Sequence, residues 1–135
     1  MAGYLLDTNH LSSAVKPGAA VRERIRAARG RGERVGVCVP VLCELQVGAQ
    51  QVRRVAEYQK VLRRLLAQIR IWPLDLETAR LYGEIYLRLK KGGRVLSQVD
   101  MMLAALAHQM NLTLLTSDGD FEALPEIHTE NWLEP

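Results

Sequence analysis

The stretch Val35-Gly36-Val37-Cys38-Val39-Pro40-Val41-Leu42-Cys43-Glu44-Leu45 changes periodicity halfway along. Val35 to Val39 is continuous, mostly β-branched and uncharged, the pattern of a parallel strand buried on both faces. Pro40 then suits a helix start, because its missing N–H would be unsatisfied there anyway. That helix continues through Val41, Leu42, Leu45 and Gly48, with Glu44 in its first turns. A strand that runs straight into a helix is half of a βαβ unit, and the rest of the chain repeats it. Tyr4-Leu5-Leu6 is a shorter buried strand whose end delivers Asp7 into a loop, with Thr8 and Asn9 as turn and cap residues before a short helix, Leu11 to Val15. Ala19 to Arg29 reads as an amphipathic helix with Val21, Ile25 and Ala28 on its apolar stripe, and Val52 to Gln68 as a longer one. Ile69 to Leu74 predicts a strand, Leu76 to Lys91 a helix broken at Gly92-Gly93, and Gln98 to Met110 a helix capped by Ser97. Thr113 to Thr116 and Ile127 to Thr129 supply the last strands. Strands alternating with helices predict a parallel sheet between helical layers, in one domain spanning residues 1–135.

At 135 residues, with 48% hydrophobic and 24% charged residues, the composition excludes disordered and collagen-like chains. No apolar run approaches the ~18–20 residues that span a bilayer. The start MAGYLLDTN meets an acid at Asp7 before any signal-like apolar stretch, so a cytoplasmic protein without a membrane partner is expected. Cys38 and Cys43 are not spaced C-x-x-C, and His10, His108 and His128 form no ligand pattern. Buried, reduced thiols are therefore expected, and zinc is not.

The net charge of +3 conceals a gradient along the chain. The first 94 residues hold all 18 Lys and Arg against 8 acids, whereas the remainder holds 7 acids and no Lys or Arg. Most of the 14 arginines read as solvated helix faces, and the alternative is a surface that holds a polyanion near an acidic centre.

Ligands of open parallel sheets bind beyond the carboxyl ends of the strands. Asp7 ends the first strand, Glu44 follows the second, Asp118 follows the Thr113–Thr116 strand, and Asp100 joins them if its helix starts at the same rim. Each has an alternative as a cap, a turn residue or an arginine's partner. Jointly they predict something else, since carboxylates in apolar company repel one another unless a positive charge lies between them. An all-oxygen set without His or Cys suits Mg²⁺ or Mn²⁺ better than zinc. Asp75 and Asp120 read as structural acids, with Asp120 close enough to Asp118 to leave its part in a metal site open.

The ordered set L-L-D-T-N at Asp7, V-L-C-E-L-x-x-G at Glu44, V-D-M-M-L-A-A-L-A at Asp100 and T-S-D-G-D-F at 116–121 resembles a PIN domain from Tyr4 to Trp132. It is most similar to the compact PIN proteins that are toxins of toxin–antitoxin pairs, the VapC type. The resemblance implies a three-layer α/β/α sandwich with a mainly parallel sheet, a Mg²⁺- or Mn²⁺-dependent ribonuclease, a homodimer, and a small antitoxin partner. It carries the acidic quartet to Asp7, Glu44, Asp100 and Asp118, the polar residue that orients the first acid to Asn9, and the hydroxyl beside the fourth acid to Thr116 or Ser117. Val41 and Cys43 depart from it, standing where small hydroxyl residues are common.

A divalent cation among such acids would activate water for attack on a backbone phosphate, leaving 5′-phosphate and 3′-hydroxyl ends. RNA would be held through its phosphates by Arg and Lys, with single strands or loops as targets. A haloacid-dehalogenase-type phosphotransferase would need a second Asp where Asn9 stands, and a response-regulator receiver a Lys beyond Lys91. Two alternatives stay open: a processing or DNA-directed nuclease without antitoxin, and a PIN-like scaffold that binds RNA or a partner without cutting it.

Overall fold

The computed structural model describes residues 2–134. Five strands form one sheet: β1 (Gly3–Leu6), β2 (Arg34–Cys38), β3 (Arg70–Trp72), β4 (Thr113–Leu115) and β5 (Thr129–Glu130), in the order β3-β2-β1-β4-β5. Every pairing is parallel. Seven further elements connect them: α1 (Thr8–Val15), α2 (Ala20–Gly30), α3 (Val39–Ala49), α4 (Val55–Leu66), α5 (Leu76–Lys91), α6 (Gln98–Met110) and a 3₁₀ turn at Gly119–Ala123.

The chain moves outward from β1 to β2 to β3, then crosses back to β4 on the other side of β1. Right-handed crossovers in opposite directions put the connecting helices on opposite faces of the sheet. The helix contacts agree, with α1 packed on α2, α3 and α4, and α5 on α6. Both faces are thus covered, which is why β1, β2 and β4 are buried and carry almost no charge. Leu5, Leu6, Val35, Val37, Leu114 and Leu115 form the middle of the core, with Leu103, Leu106 and Ala107 of α6 among the side chains over it.

Local chemistry explains where the elements begin. Asp75 and Thr78 form a reciprocal capping box at the start of α5, and Ser97 accepts from the Asp100 N–H at the start of α6. Both helices have the bounds that the sequence predicts. The α1 helix does not: Asp7 is itself the N-cap, so the chain enters the helix at Thr8 with no intervening loop. The α4 helix begins at Val55, three residues later than expected, and β5 lies at Thr129–Glu130, displaced toward the C-terminus from Ile127–Thr129. Gly36 is required by packing, since a Cβ there would lie 2.7 Å from the Arg70 carbonyl oxygen and 2.8 Å from the Trp72 ring.

The cysteines separate. Cys38 is buried at the end of β2, and its burial pushes the thiol pKa up, as expected of a small core residue. Cys43 is exposed, against expectation: it lies on the outer face of α3 with Val39 and Val47, four residues to either side. A helix with apolar residues all round does not reveal which stripe meets the sheet, and here Val41, Leu45 and Ala49 do.

Candidate functional site

The strand order reverses direction between β1 and β4, and ligands of open parallel sheets bind beyond the carboxyl ends of the strands at such a switch point. Leu6 pairs with Leu115, and the Asp7 N–H donates to the Leu115 carbonyl at 3.1 Å, so Asp7 leaves the sheet beside Thr116. Asp118 follows at once. Its N–H donates to Thr116 Oγ1 at 3.1 Å, and its own Oδ1 accepts from the Asp120 N–H at 2.8 Å. Thr116, rather than the exposed Ser117, is therefore the hydroxyl that shapes the fourth acid's turn, while Asp120 supports Asp118 through its backbone.

Glu44 reaches the same edge from the second turn of α3, where its Oε1 accepts from the Thr8 hydroxyl at 2.5 Å. Thr8 thereby joins the acid after β2 to the helix after β1. Asp100 sits in the first turn of α6, half-buried. Burial raises its carboxyl pKa above the ordinary carboxylate range against the Ser97 hydroxyl, which lowers it, and the negative charges of Asp118, Glu44 and Asp7 add to the rise. Asp7, Glu44 and Asp118, from three other elements, thus all lie close enough to Asp100 to act on it. They are not drawn into a tight cage: among the described residues, no three His, Cys, Asp or Glu side chains stand together closely enough to hold a metal as they are. Glu44 and Asp118 each spend an oxygen on a local hydrogen bond.

Asp7 differs from the other three in being buried, at 8% exposure. Its Oδ1 accepts twice from His10, from the backbone N–H at 2.8 Å and from ring Nδ1 at 2.9 Å. Oδ2 takes no hydrogen bond from a described residue. Because no buried side-chain oxygen or nitrogen lacks a partner among those residues, Oδ2 is the oxygen that reaches solvent. Asn9 is exposed, and His10, which is fully buried, holds the first acid. Sequence reasoning missed His10 and Thr8; the only local signal was Asp7 itself, a preferred N-cap residue whose side chain is bound to meet the third residue beyond it.

An excess of carboxylate charge, presented by oxygen donors alone and with no arginine or lysine paired to it among the described residues, suits a hard divalent cation. Several of the arginines are engaged elsewhere. Arg22 donates to the Ala14 and Val15 carbonyls at the end of α1, and Arg26, Arg31, Arg54, Arg80 and Arg88 make exposed pairs with glutamates. For the glutamate-paired arginines the solvated-face reading holds, whereas Arg22 is a part-buried cap on the end of α1.

Comparison with known proteins supplies the lineage. Residues 4–127 match the family model described as PIN domain. The chain is 25% identical over 130 residues to Ribonuclease VapC2 of Rickettsia felis, covering 96% of this chain and 97% of that protein. It is 28% identical over 136 residues to the tRNA(fMet)-specific endonuclease VapC of Shigella flexneri, covering 98% and 99%. The structure of DNA-bound VapBC from Salmonella typhimurium superposes with a TM-score of 0.87 at 25% identity, over 98% of this chain and 99% of that one. The match spans every strand up to β4 and all four acids, so the chain belongs to the PIN domain family.

Proposed function

We propose that the protein is a divalent-cation-dependent endoribonuclease of the VapC type, with Asp7, Glu44, Asp100 and Asp118 holding Mg²⁺ or Mn²⁺. The observation that carries this reading is the charge of three acids, Asp118, Glu44 and Asp7, felt at a fourth, Asp100, each of the four delivered by a different element. A group of uncompensated carboxylates destabilises the fold, and a cation-dependent function accounts for its presence. Bound there, a divalent cation supplies the positive charge that lowers the pKa of water and stabilises charge developing on the phosphodiester.

The chain's own groups do the positioning. Asp7 presents Oδ2 from a carboxylate whose other oxygen is tied to His10. Glu44 would be available to a cation on giving up its bond with Thr8, and Thr116 with Asp120 holds Asp118 in its turn. Water adds to phosphorus, the P–O3′ bond breaks and the 3′ oxygen takes up a proton, leaving 5′-phosphate and 3′-hydroxyl ends. Neutralisation of RNA phosphates falls to unpaired basic side chains such as Lys90, Lys91 and Arg94, in the loop and last turn that precede Asp100's helix.

The names of the two relatives, a ribonuclease and a tRNA(fMet)-specific endonuclease, support RNA as the substrate, and the VapBC structure supports a small antitoxin as partner. A homodimer and a cytoplasmic setting belong to the same reading; no helix among the described residues is long and apolar enough to cross a membrane. The test is cleavage of end-labelled RNA with Mn²⁺ or Mg²⁺ against EDTA, beside an Asp100→Asn variant. Metal-dependent cleavage with 5′-phosphate ends, lost in the variant, is the expected result. Equal cleavage by both proteins would overturn it, as would RNA binding without cleavage, which favours the scaffold alternative.

A further inference from the structure

Only one of the three histidines is buried, and it is buried completely: His10 lies between Asp7 and the end of the chain. Its Nδ1 is 2.9 Å from Asp7 Oδ1, and its Nε2 accepts the backbone N–H of Trp132 at 3.0 Å. A backbone amide can only donate, so Nε2 carries the lone pair and the ring proton resides on Nδ1. The Nδ1–H therefore donates to Asp7. Trp132 is itself fixed, with its ring against Tyr4 at a centroid distance of 4.7 Å and its indole N–H on Glu130 Oε1 at 3.0 Å. A continuous chain of bonds thus runs from the segment after β5, through one imidazole, to the carboxylate after β1.

We propose that His10 is a positioning residue for the metal centre: locked as the Nδ1–H tautomer by the Trp132 amide, it pins Asp7 Oδ1 and thereby aims Oδ2 at the cation. The proposal rests on the reading of Asp7 as a cation-holding acid. Without this bond the Asp7 side chain keeps only the His10 backbone N–H, which restrains one oxygen but leaves the carboxylate free to turn about that contact. The Trp132 segment becomes part of the site without touching it, because it decides which ring nitrogen bears the proton. Removal of such outer hydrogen bonds from ligating groups costs about 10–100-fold in metal affinity.

Three substitutions separate the two bonds. In His10→Asn the side-chain amide N–H stands where Nδ1–H stood, so the Asp7 bond survives and the Trp132 bond is lost. In His10→Gln the amide oxygen replaces Nε2, so the Trp132 bond survives and Asp7 loses its partner. His10→Leu removes both. We would measure Mn²⁺ affinity by electron paramagnetic resonance on the intact protein, with circular dichroism to establish folding, and the ring tautomer by ¹⁵N NMR of the wild type. Expected are Mn²⁺ affinity within about threefold of wild type for His10→Asn, about tenfold or greater weakening for His10→Gln and His10→Leu, and a signal for protonated Nδ1. Equal Mn²⁺ affinity in all folded variants would overturn the proposal, as would equal weakening in His10→Asn and His10→Gln, or a proton on Nε2. If the wild type and Asp7→Asn bind Mn²⁺ equally, or neither binds it, the reading of Asp7 itself fails, an outcome distinct from failure at His10 alone.

Discussion

Asp7 carries two separable duties, and two substitutions part them. As N-cap of α1 its Oδ1 accepts the His10 N–H, and the same oxygen accepts the buried His10 Nδ1–H. In Asp7→Asn a neutral amide oxygen takes over both bonds, and Asn caps helices about as well as Asp, so the change in stability should stay within ~1 kcal/mol. Asp7→Ala loses the cap, at about 1 kcal/mol, and strands a ring N–H that has no exposure to water, at about 1–3 kcal/mol. The sum is about 2–4 kcal/mol, which for a chain of this length lowers the melting temperature by roughly 8–15 °C. Thermal unfolding followed by circular dichroism in EDTA measures this, and cleavage of labelled RNA in Mn²⁺ measures the other duty. Both variants should be inactive, but only the alanine should be markedly less stable. Equal melting temperatures for the two would refute the capping and His10 argument. Cleavage by Asp7→Asn at the wild-type rate would refute the need for its charge.

Other perturbations test the frame and the charge around it. Gly36→Ala places a methyl group against the backbone of β3, and at about 1–3 kcal/mol for overpacking denaturant midpoints should fall while the far-UV spectrum is kept; an unchanged midpoint would mean that β3 yields freely. Asp100 has a raised pKa in the folded state, from burial and then from Asp118, Glu44 and Asp7, so the native protein binds more protons than the unfolded one between the two values. Metal-free protein should therefore lose stability as pH rises through that interval, relative to Asp100→Asn, and matching pH profiles for the two would refute the repulsion. Thr78→Val, at the buried position in the first turn of α5, removes a hydroxyl that accepts from the Asp75 N–H and donates to Gln109 across the α5–α6 contact. A loss of about 1–2 kcal/mol is expected in urea unfolding, with RNA cleavage unchanged at temperatures where the variant is folded.

The legible parts of this fold are those whose determinants are close in sequence. β1, β2 and β4 announced themselves as uncharged runs, and α5 and α6 began where Asp75 and Ser97 put their capping oxygens. The acids could be assigned to one edge because a parallel sheet sends every strand's carboxyl end the same way. What stayed hidden depends on partners far along the chain. His10 and Trp132 are 122 residues apart, and Thr8 and Glu44 36 apart, so neither pair has any local pattern. Asp7 misled for another reason: an acid after a strand reads equally as a loop residue and as a cap, and it proved to be the cap. Cys43 and Val47 were unreadable because α3 is apolar on both its inner and outer faces.

The placement of β1 in the middle of the sheet also sets a timetable. Its neighbour on one side, β2, is made soon after it, but Tyr4 finds its partner Thr113 on the other side only when most of the chain exists. Pairings so distant in sequence form late in folding. At the ~5–20 residues per second of synthesis, about 6–25 s separate the appearance of Asp7 from that of Trp132, whose amide completes the ring of bonds around it. Asp100 and Asp118 also belong to that closing interval. A nascent chain emerging beside messenger and ribosomal RNA thus lacks the assembled acidic site proposed to cut RNA until nearly its whole length has been translated.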